Sequence, residues 1–119
     1  MDLFILTNNE WVRDRMGKDY QVDYRELSFR EILVAARDLI HEGHQLLTHP
    51  LSGSVKPQET PYKSMALSKR KGPLDVRGLE LIENAISACD KFVVKFPNMP
   101  DSMRDDFRLI DYCLISKAL

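Results

Sequence analysis

The chain has 119 residues, of which 44% are apolar and 29% are charged, enough for one globular core but too few to predict two. Its 17 basic and 18 acidic residues give a net charge of −1, which excludes the overall positive field of most non-specific nucleic-acid binders. Two cysteines are too few for a disulfide framework, and no apolar run reaches the roughly 20 residues of a membrane span. The first six residues also lack the basic start of a signal peptide. We therefore expect one cytoplasmic domain over residues 1–119, with no nucleic-acid or membrane partner.

The first part of the chain predicts a strand, a helix and a second strand. Leu3 to Leu6 is a continuous apolar run followed by Thr and Asn residues, which is typical of a central strand buried on both faces. Glu10 to Met16 carries apolar residues on one helical face and is followed by a glycine, which predicts a short helix. Tyr20 to Tyr24 alternates between apolar and polar residues, as expected for an edge strand.

The next part predicts a longer helix and another strand. Ser28 and Glu31 have the spacing of a capping box, and Gly43 stands where a helix that ends near Glu42 would need a left-handed residue. Residues 45–48 form a second short apolar run. A right-handed crossover would place this run beside the first strand and parallel to it.

A long loop separates these elements from the rest of the chain. Residues 49–62 contain three prolines and a glycine, and such loops are usually functional or disordered. Residues 63–69 alternate and predict a strand that returns antiparallel. Asp75 is the predicted N-cap of a buried helix whose apolar stripe extends to Phe92 and Val93. Asp101 begins the last helix, with a predicted inner face at Met103, Phe107, Ile110 and Leu114.

The order of elements predicts an α/β fold. We expect a small Rossmann-like sandwich with about four strands, mostly parallel with one antiparallel return strand, flanked by about four helices. In open α/β sheets, ligands tend to bind beyond the carboxyl ends of the parallel strands. The candidate site therefore begins where the predicted first and third strands end, at Thr7, Asn8, Asn9, Thr48 and His49. The alternative interpretation of the two asparagines is ordinary turn chemistry.

The long loop adds further candidate ligand-binding residues. Residues 44–71 contain five basic residues and one acidic residue, a local charge of +4. Glycine, hydroxyl groups and an ammonium group in this loop could present donors to a phosphate or carboxylate. The candidates are Ser52, Gly53, Ser54, Lys56, Glu59, Thr60 and Tyr62. The spacing is not that of a P-loop, and the alternative is a Ser/Gly turn with surface lysines.

The remaining motifs do not define a reaction or a cofactor. His41, His44 and His49 have no carboxylate or thiolate at ligand spacing, so we predict no metal site. His49 lies close to Ser52 and Ser54 and could act as an acid or base, but no nucleophile-elbow motif is present. Catalytic residues therefore remain unassigned.

Several segments resemble the GrdX family, whose members are encoded near glycine reductase in amino-acid-fermenting anaerobes. The resemblance rests on Leu46 to Pro57, Glu59 to Ser64, Ile5 to Asn9 and Arg37 to His44. It implies a context of glycine, sarcosine or betaine reduction. It implies no catalytic residue, because the activity of the family is not established.

Our leading hypothesis is an accessory protein that binds an anionic small molecule, or a component of a glycine reductase complex, through residues 48–63. An alternative is an enzyme acting on a small phosphorylated or carboxylated substrate, with His49 as acid/base and Lys56 as charge stabiliser. A third hypothesis is a homodimeric structural or interaction protein in which the loop contributes to the interface.

Overall fold

A computed structural model describes residues 2–51, 60–91 and 98–119. Within these residues, a three-stranded sheet lies between two pairs of helices. The elements are β1 (Leu3–Thr7), α1 (Glu10–Met16), β2 (Gln21–Tyr24), α2 (Phe29–His41), β3 (Ser64–Ser68), α3 (Val76–Asp90) and α4 (Asp101–Ala118). The fold class is therefore α/β, as predicted.

The sheet has the order β2-β1-β3, so β1 is its central strand. β1 pairs in parallel with β2, with Ile5 opposite Val22, and antiparallel with β3, with Ile5 opposite Ala66. The predictions of a central first strand and an edge second strand are confirmed. The whole of β1 is buried, which explains its continuous apolar sequence.

Alternating side chains of the sheet divide the interior into two cores. Leu3 and Ile5 pack with α1 and with Ile115 of α4, whereas Phe4 and Leu6 pack with α2 and α3. Successive side chains of a strand point to opposite faces, which gives this division directly. The molecule thus has a helical layer on each side of the sheet.

Side-chain caps fix the starts of three helices. Asn9 caps α1 and Asp75 caps α3, while Ser28 and Glu31 form the predicted capping box of α2. Gly43 follows α2 with φ of +110°, a conformation that favours glycine. These local signals determine the helix boundaries because each cap satisfies a backbone N–H that the helix itself leaves open.

The prediction of about four mostly parallel strands is wrong, because the described residues form three strands in a mixed sheet that is not clearly Rossmann-like. Residues 45–48 make only an isolated antiparallel bridge, from Leu46 to Leu67 of β3. They lie outside β3 and not beside β1. The position next to β1 requires side chains buried on both faces, which β3 supplies, whereas Leu47 is 45% exposed.

The predicted inner face of α4 is displaced by one residue. Ile110 is 40% exposed, and the buried residues of α4 are Asp111 and Ile115. Hydrogen bonds from Asn9 and Ser64 to Asp111 hold this rotation of the helix. In α3 the predicted burial of Ile82 and its neighbours is confirmed, whereas Phe92 and Val93 lie outside the described residues.

Candidate functional site

A buried polar cluster occupies the carboxyl end of β1, against the start of β3. Its side chains belong to Thr7, Asn9, Ser64 and Asp111, and we call them the Asp111 cluster. The backbone N–H of Asn9 donates to Thr7 Oγ1 at 2.9 Å, and Thr7 Oγ1 lies 2.6 Å from Ser64 Oγ. Ser64 Oγ in turn donates to Asp111 Oδ2 at 2.7 Å. These contacts form one chain of hydrogen bonds that ends on the carboxyl group of Asp111.

The carboxyl group of Asp111 is held by both halves of the chain. Its Oδ2 also accepts a hydrogen bond of 3.0 Å from Asn9 Nδ2. Burial is the main influence on this group and raises the pKa of Asp111, while the hydrogen bonds from Asn9 and Ser64 and the charge of Lys63 act in the opposite direction. The neutral acid is therefore favoured at higher pH than for an exposed aspartate.

Lys63 lies immediately before β3 and is only 6% exposed. Burial lowers the pKa of Lys63, and the negative charge of Asp111 partly offsets this effect. Although both residues are described, no ion pair within 4.0 Å joins them. Lys63 is therefore a buried amine with an acidic neighbour that does not touch its charged end.

Asn8 fixes the backbone at Lys63. Its Oδ1 accepts a hydrogen bond of 2.8 Å from the backbone N–H of Lys63. Its Nδ2 donates to the carbonyl oxygens of Leu27 and Pro61, both at 2.9 Å. One amide side chain thus joins the end of β1, the segment before α2 and the segment that leads into β3.

An opening beside these groups is lined by both Lys63 and Asp111, and we call it the Lys63 pocket. Its inner volume is about 20 Å³, which is roughly the room needed for one water molecule. With its open mouth included, the empty space is about 340 Å³. The other lining residues are Phe29, Leu51, Thr60, Tyr62, Phe107, Ile110 and Leu114. A mostly apolar wall with a few polar groups is typical of sites for small molecules.

Arg108 of α4 lies next to this pocket. Its guanidinium carbon is 5.0 Å from the centre of the Tyr62 ring, and its nitrogens approach carboxylates of Asp105 at 2.7 Å and Glu10 at 3.4 Å. Burial raises the pKa of Tyr62, and the charge of Arg108 opposes that shift. Arg108 thus pairs with two carboxylates, and Lys63, unlike Arg108, is a lining residue of the pocket.

The structure brings together five of the residues predicted for the site. Thr7, Asn8 and Asn9 meet the segment that carries Thr60 and Tyr62. Their polar side-chain atoms mostly bond within the protein: Thr60 Oγ1, for example, accepts from the backbone N–H of Tyr62 at 3.1 Å. The turn interpretation of the two asparagines therefore describes part of what they do. Ser52, Gly53, Ser54, Lys56 and Glu59 lie outside the described residues.

The other two predicted residues do not join this group. Thr48 Oγ1 accepts a hydrogen bond of 3.1 Å from the backbone N–H of Ala66, on the far side of β3 from β1. His49 is exposed, and its Nδ1 accepts from the backbone N–H of Leu51 at 3.1 Å. The predicted meeting of two adjacent parallel strand ends is therefore wrong, because β3 lies between them.

Sequence reasoning missed Lys63 and Asp111 as site residues. A signal was present for Asp111, since it lies four residues before the buried Ile115 and thus on the same face of α4. An acidic residue on a buried helical face requires hydrogen-bond partners. Lys63 carried no comparable signal, because a lysine between a loop and a strand is usually exposed.

A second opening, at the opposite end of the sheet, is larger and more polar. Its volume is about 460 Å³, and its wall includes Arg70 and Lys71. These cations are paired with Asp2 at 3.7 Å and Glu42 at 3.6 Å, and all four side chains are exposed. Exposed pairs of this kind contribute little binding energy, so the Lys63 pocket is the better candidate site.

The fold and this site define a three-layer α/β protein with a buried polar cluster at the carboxyl end of its central strand. Residues 4–119 match the GrdX-like protein family, and the chain belongs to that family. No curated protein and no solved structure matches it. Among the described residues, no helix is both long and apolar enough to cross a membrane.

Proposed function

We propose that this protein is an accessory binding protein that takes up a small carboxylate in the Lys63 pocket. The observation that carries the proposal is a buried lysine on the wall of a small, mostly apolar opening. A buried ammonium group is costly unless an anion or hydrogen-bond acceptors surround it. An anion bound at Lys63 Nζ would provide that compensation.

The arrangement of the neighbouring groups favours an external anion over Asp111 as the partner of Lys63. Asp111 Oδ2 is engaged by Asn9 and Ser64, and burial favours the neutral form of its carboxyl group. The Asp111 cluster thereby holds the acid in place, and no ion pair within 4.0 Å joins it to Lys63. Leu51, Thr60, Tyr62 and Lys63 belong to the pocket wall, and we propose that the ligand binds against them.

Family membership supports a proposal about the metabolic system in which this protein binds its ligand. The chain belongs to the GrdX-like family, and we propose that it acts alongside systems that reduce glycine, sarcosine or betaine, compounds that each carry one carboxylate. The pocket would accept only small compounds of this class, because its inner space is about 20 Å³ and the empty space including its open mouth is about 340 Å³.

We expect acetate and lactate to raise the melting temperature of the protein, because ligands that bind only the folded state stabilise it. Lys63→Met keeps most of the side-chain volume and removes the ammonium group. It should lower the affinity for lactate roughly tenfold or more, the usual effect of losing a hydrogen bond to a charged group. Calorimetric titration at constant ionic strength measures this affinity.

Lys69→Met is the matched control, because Lys69 is exposed just after β3. It should bind lactate as the unaltered protein does. Equal losses in both variants, or no response of the unaltered protein to either carboxylate, would contradict a specific site at Lys63.

A further inference from the structure

We propose that Lys63 forms a reversible imine with the carbonyl carbon of a small 2-oxo acid bound in the Lys63 pocket. This inference rests on the proposed function and narrows its ligand class, because it selects carboxylates that carry an adjacent carbonyl group. It follows from the placement of a buried amine and a buried carboxyl group on the wall of one small opening.

The space between the two groups suits a carbonyl. Lys63 and Asp111 both line the pocket, yet their charged atoms are not paired within 4.0 Å. The inner space is about 20 Å³, close to that of a single water molecule. A carbonyl group placed there would lie against a wall that includes both Lys63 and Asp111.

The protonation states also suit this reaction, since an amine attacks a carbonyl only in its neutral form. Burial lowers the pKa of Lys63 and so increases its neutral fraction relative to exposed lysines. Burial raises the pKa of Asp111 and so favours its protonated form, while its Oδ2 accepts hydrogen bonds from Asn9 and Ser64. Among the described charged groups around Tyr62 of the pocket wall, Arg108 pairs with Asp105 and Glu10, and Arg104 also lies close to Tyr62.

The proposed step is balanced within these groups. The lone pair of Lys63 Nζ forms a bond to the carbonyl carbon, the carbonyl π bond breaks, and its oxygen takes a proton to become a hydroxyl group. The hydroxyl then leaves as water as the C=N bond forms. Two amine protons and the carbonyl oxygen make up that water when the neutral imine forms, and the proton of Asp111 converts the imine into an iminium ion. The products are water, an iminium ion and the Asp111 carboxylate, with no oxidant or reductant required.

The ligand's own carboxylate stabilises the product after the bond forms. In the imine of a 2-oxo acid, the carboxylate is attached to the carbon that is bonded to Lys63 Nζ. The positive charge on the iminium nitrogen therefore lies close to a negative charge once the bond has formed. Simple aldehydes lack this group and should bind less well.

The test uses pyruvate as the probe, with sodium cyanoborohydride to reduce any imine to a stable amine. We expect one adduct per chain by intact-mass spectrometry, with peptide mapping placing it at Lys63. Because the neutral fraction of an amine rises as its pKa falls and burial lowers the pKa of Lys63, modification of Lys63 should be faster than that of any exposed lysine. Modification spread evenly over the surface lysines would overturn the proposal.

Two variants and one further ligand make the result decisive. Lys63→Arg should form no adduct, and Lys69→Arg should form the same adduct as the unaltered protein. Peptide mapping of the unaltered protein locates the adduct whether or not either variant folds. Lactate has no ketone and cannot form the imine. If lactate binds at Lys63 but pyruvate leaves no adduct there, the imine is refuted and carboxylate binding stands. If neither compound binds, both proposals fail.

Discussion

Replacing Asp111 with alanine is expected to lower the free energy of unfolding by about 3 kcal/mol. The change removes the acceptor of hydrogen bonds from Asn9 Nδ2 and Ser64 Oγ and leaves the hydroxyl of Ser64 buried without its partner. It also removes a carboxyl group that in its ionised form partly offsets the burial of Lys63. Urea denaturation followed by circular dichroism measures the loss.

Asp106→Ala is the control for this prediction. Asp106 is an exposed residue of the same helix, so its replacement should change stability by no more than about 0.5 kcal/mol. If the two variants are equally stable, the Asp111 cluster does not hold α4 against the sheet.

The pH dependence of Asp111→Asn provides a separate prediction. Burial raises the pKa of Asp111 in the folded protein above its ordinary value of 3.8. Between these two pKa values the folded protein binds more protons than the unfolded chain, so this group's contribution to stability is complete below pH 3.8 and is lost as the pH rises through the folded pKa. The stability of the unaltered protein relative to Asp111→Asn should therefore fall as the pH rises from below 3.8 towards neutrality. A difference that does not change with pH would contradict the raised pKa.

Asn8→Ala is the second change expected to have a large effect, again about 3 kcal/mol. It removes the hydrogen bonds to the carbonyl oxygens of Leu27 and Pro61 and the acceptor for the backbone N–H of Lys63. Because Asn8 is buried, these backbone groups would lose their partner away from bulk water. The variant should also bind lactate more weakly, since the backbone at Lys63 is no longer fixed.

The matched control is Asn84→Ala, at an exposed position of α3. Alanine is a better helix former than asparagine, so this variant should be as stable as the unaltered protein or slightly more stable. Thermal unfolding of the two variants side by side checks the comparison. An Asn8→Ala variant that matches the control would show that the three contacts contribute no net stability.

The fold could be predicted where short-range chemistry determines it. The apolar run of β1 and the caps at Ser28 and Asp75 predicted elements that are present. The prediction failed for residues 45–48, because four apolar or neutral residues satisfy a strand pattern without showing which neighbour they pair with. Only the chain further along, at β3, supplies the strand that displaces them from β1.

The candidate site was harder to predict because its parts are far apart in the sequence. Thr7 to Asn9 could be named from their place after a buried strand, but Asn9 and Asp111 are separated by 102 positions. Helical periodicity predicted a buried face of α4 that is displaced by one residue from the buried face observed. On a helix, a shift of one position turns a side chain by about 100°, which is enough to move Asp111 from solvent to the sheet.

The long separations within the Asp111 cluster also determine the order in which the protein can be completed. Thr7 and Ser64 are 57 positions apart, and Asp111 lies a further 47 positions beyond Ser64. Contacts between distant positions form slowly because a large loop must close first. During synthesis, β1 therefore cannot pair with β3 until β3 has been made. The Asp111 cluster cannot form until α4 has been made. A nascent chain that stops before α4 can form neither the pocket nor the hydrogen bonds that hold it, so the ability to bind a ligand is acquired only when the whole domain has emerged from the ribosome.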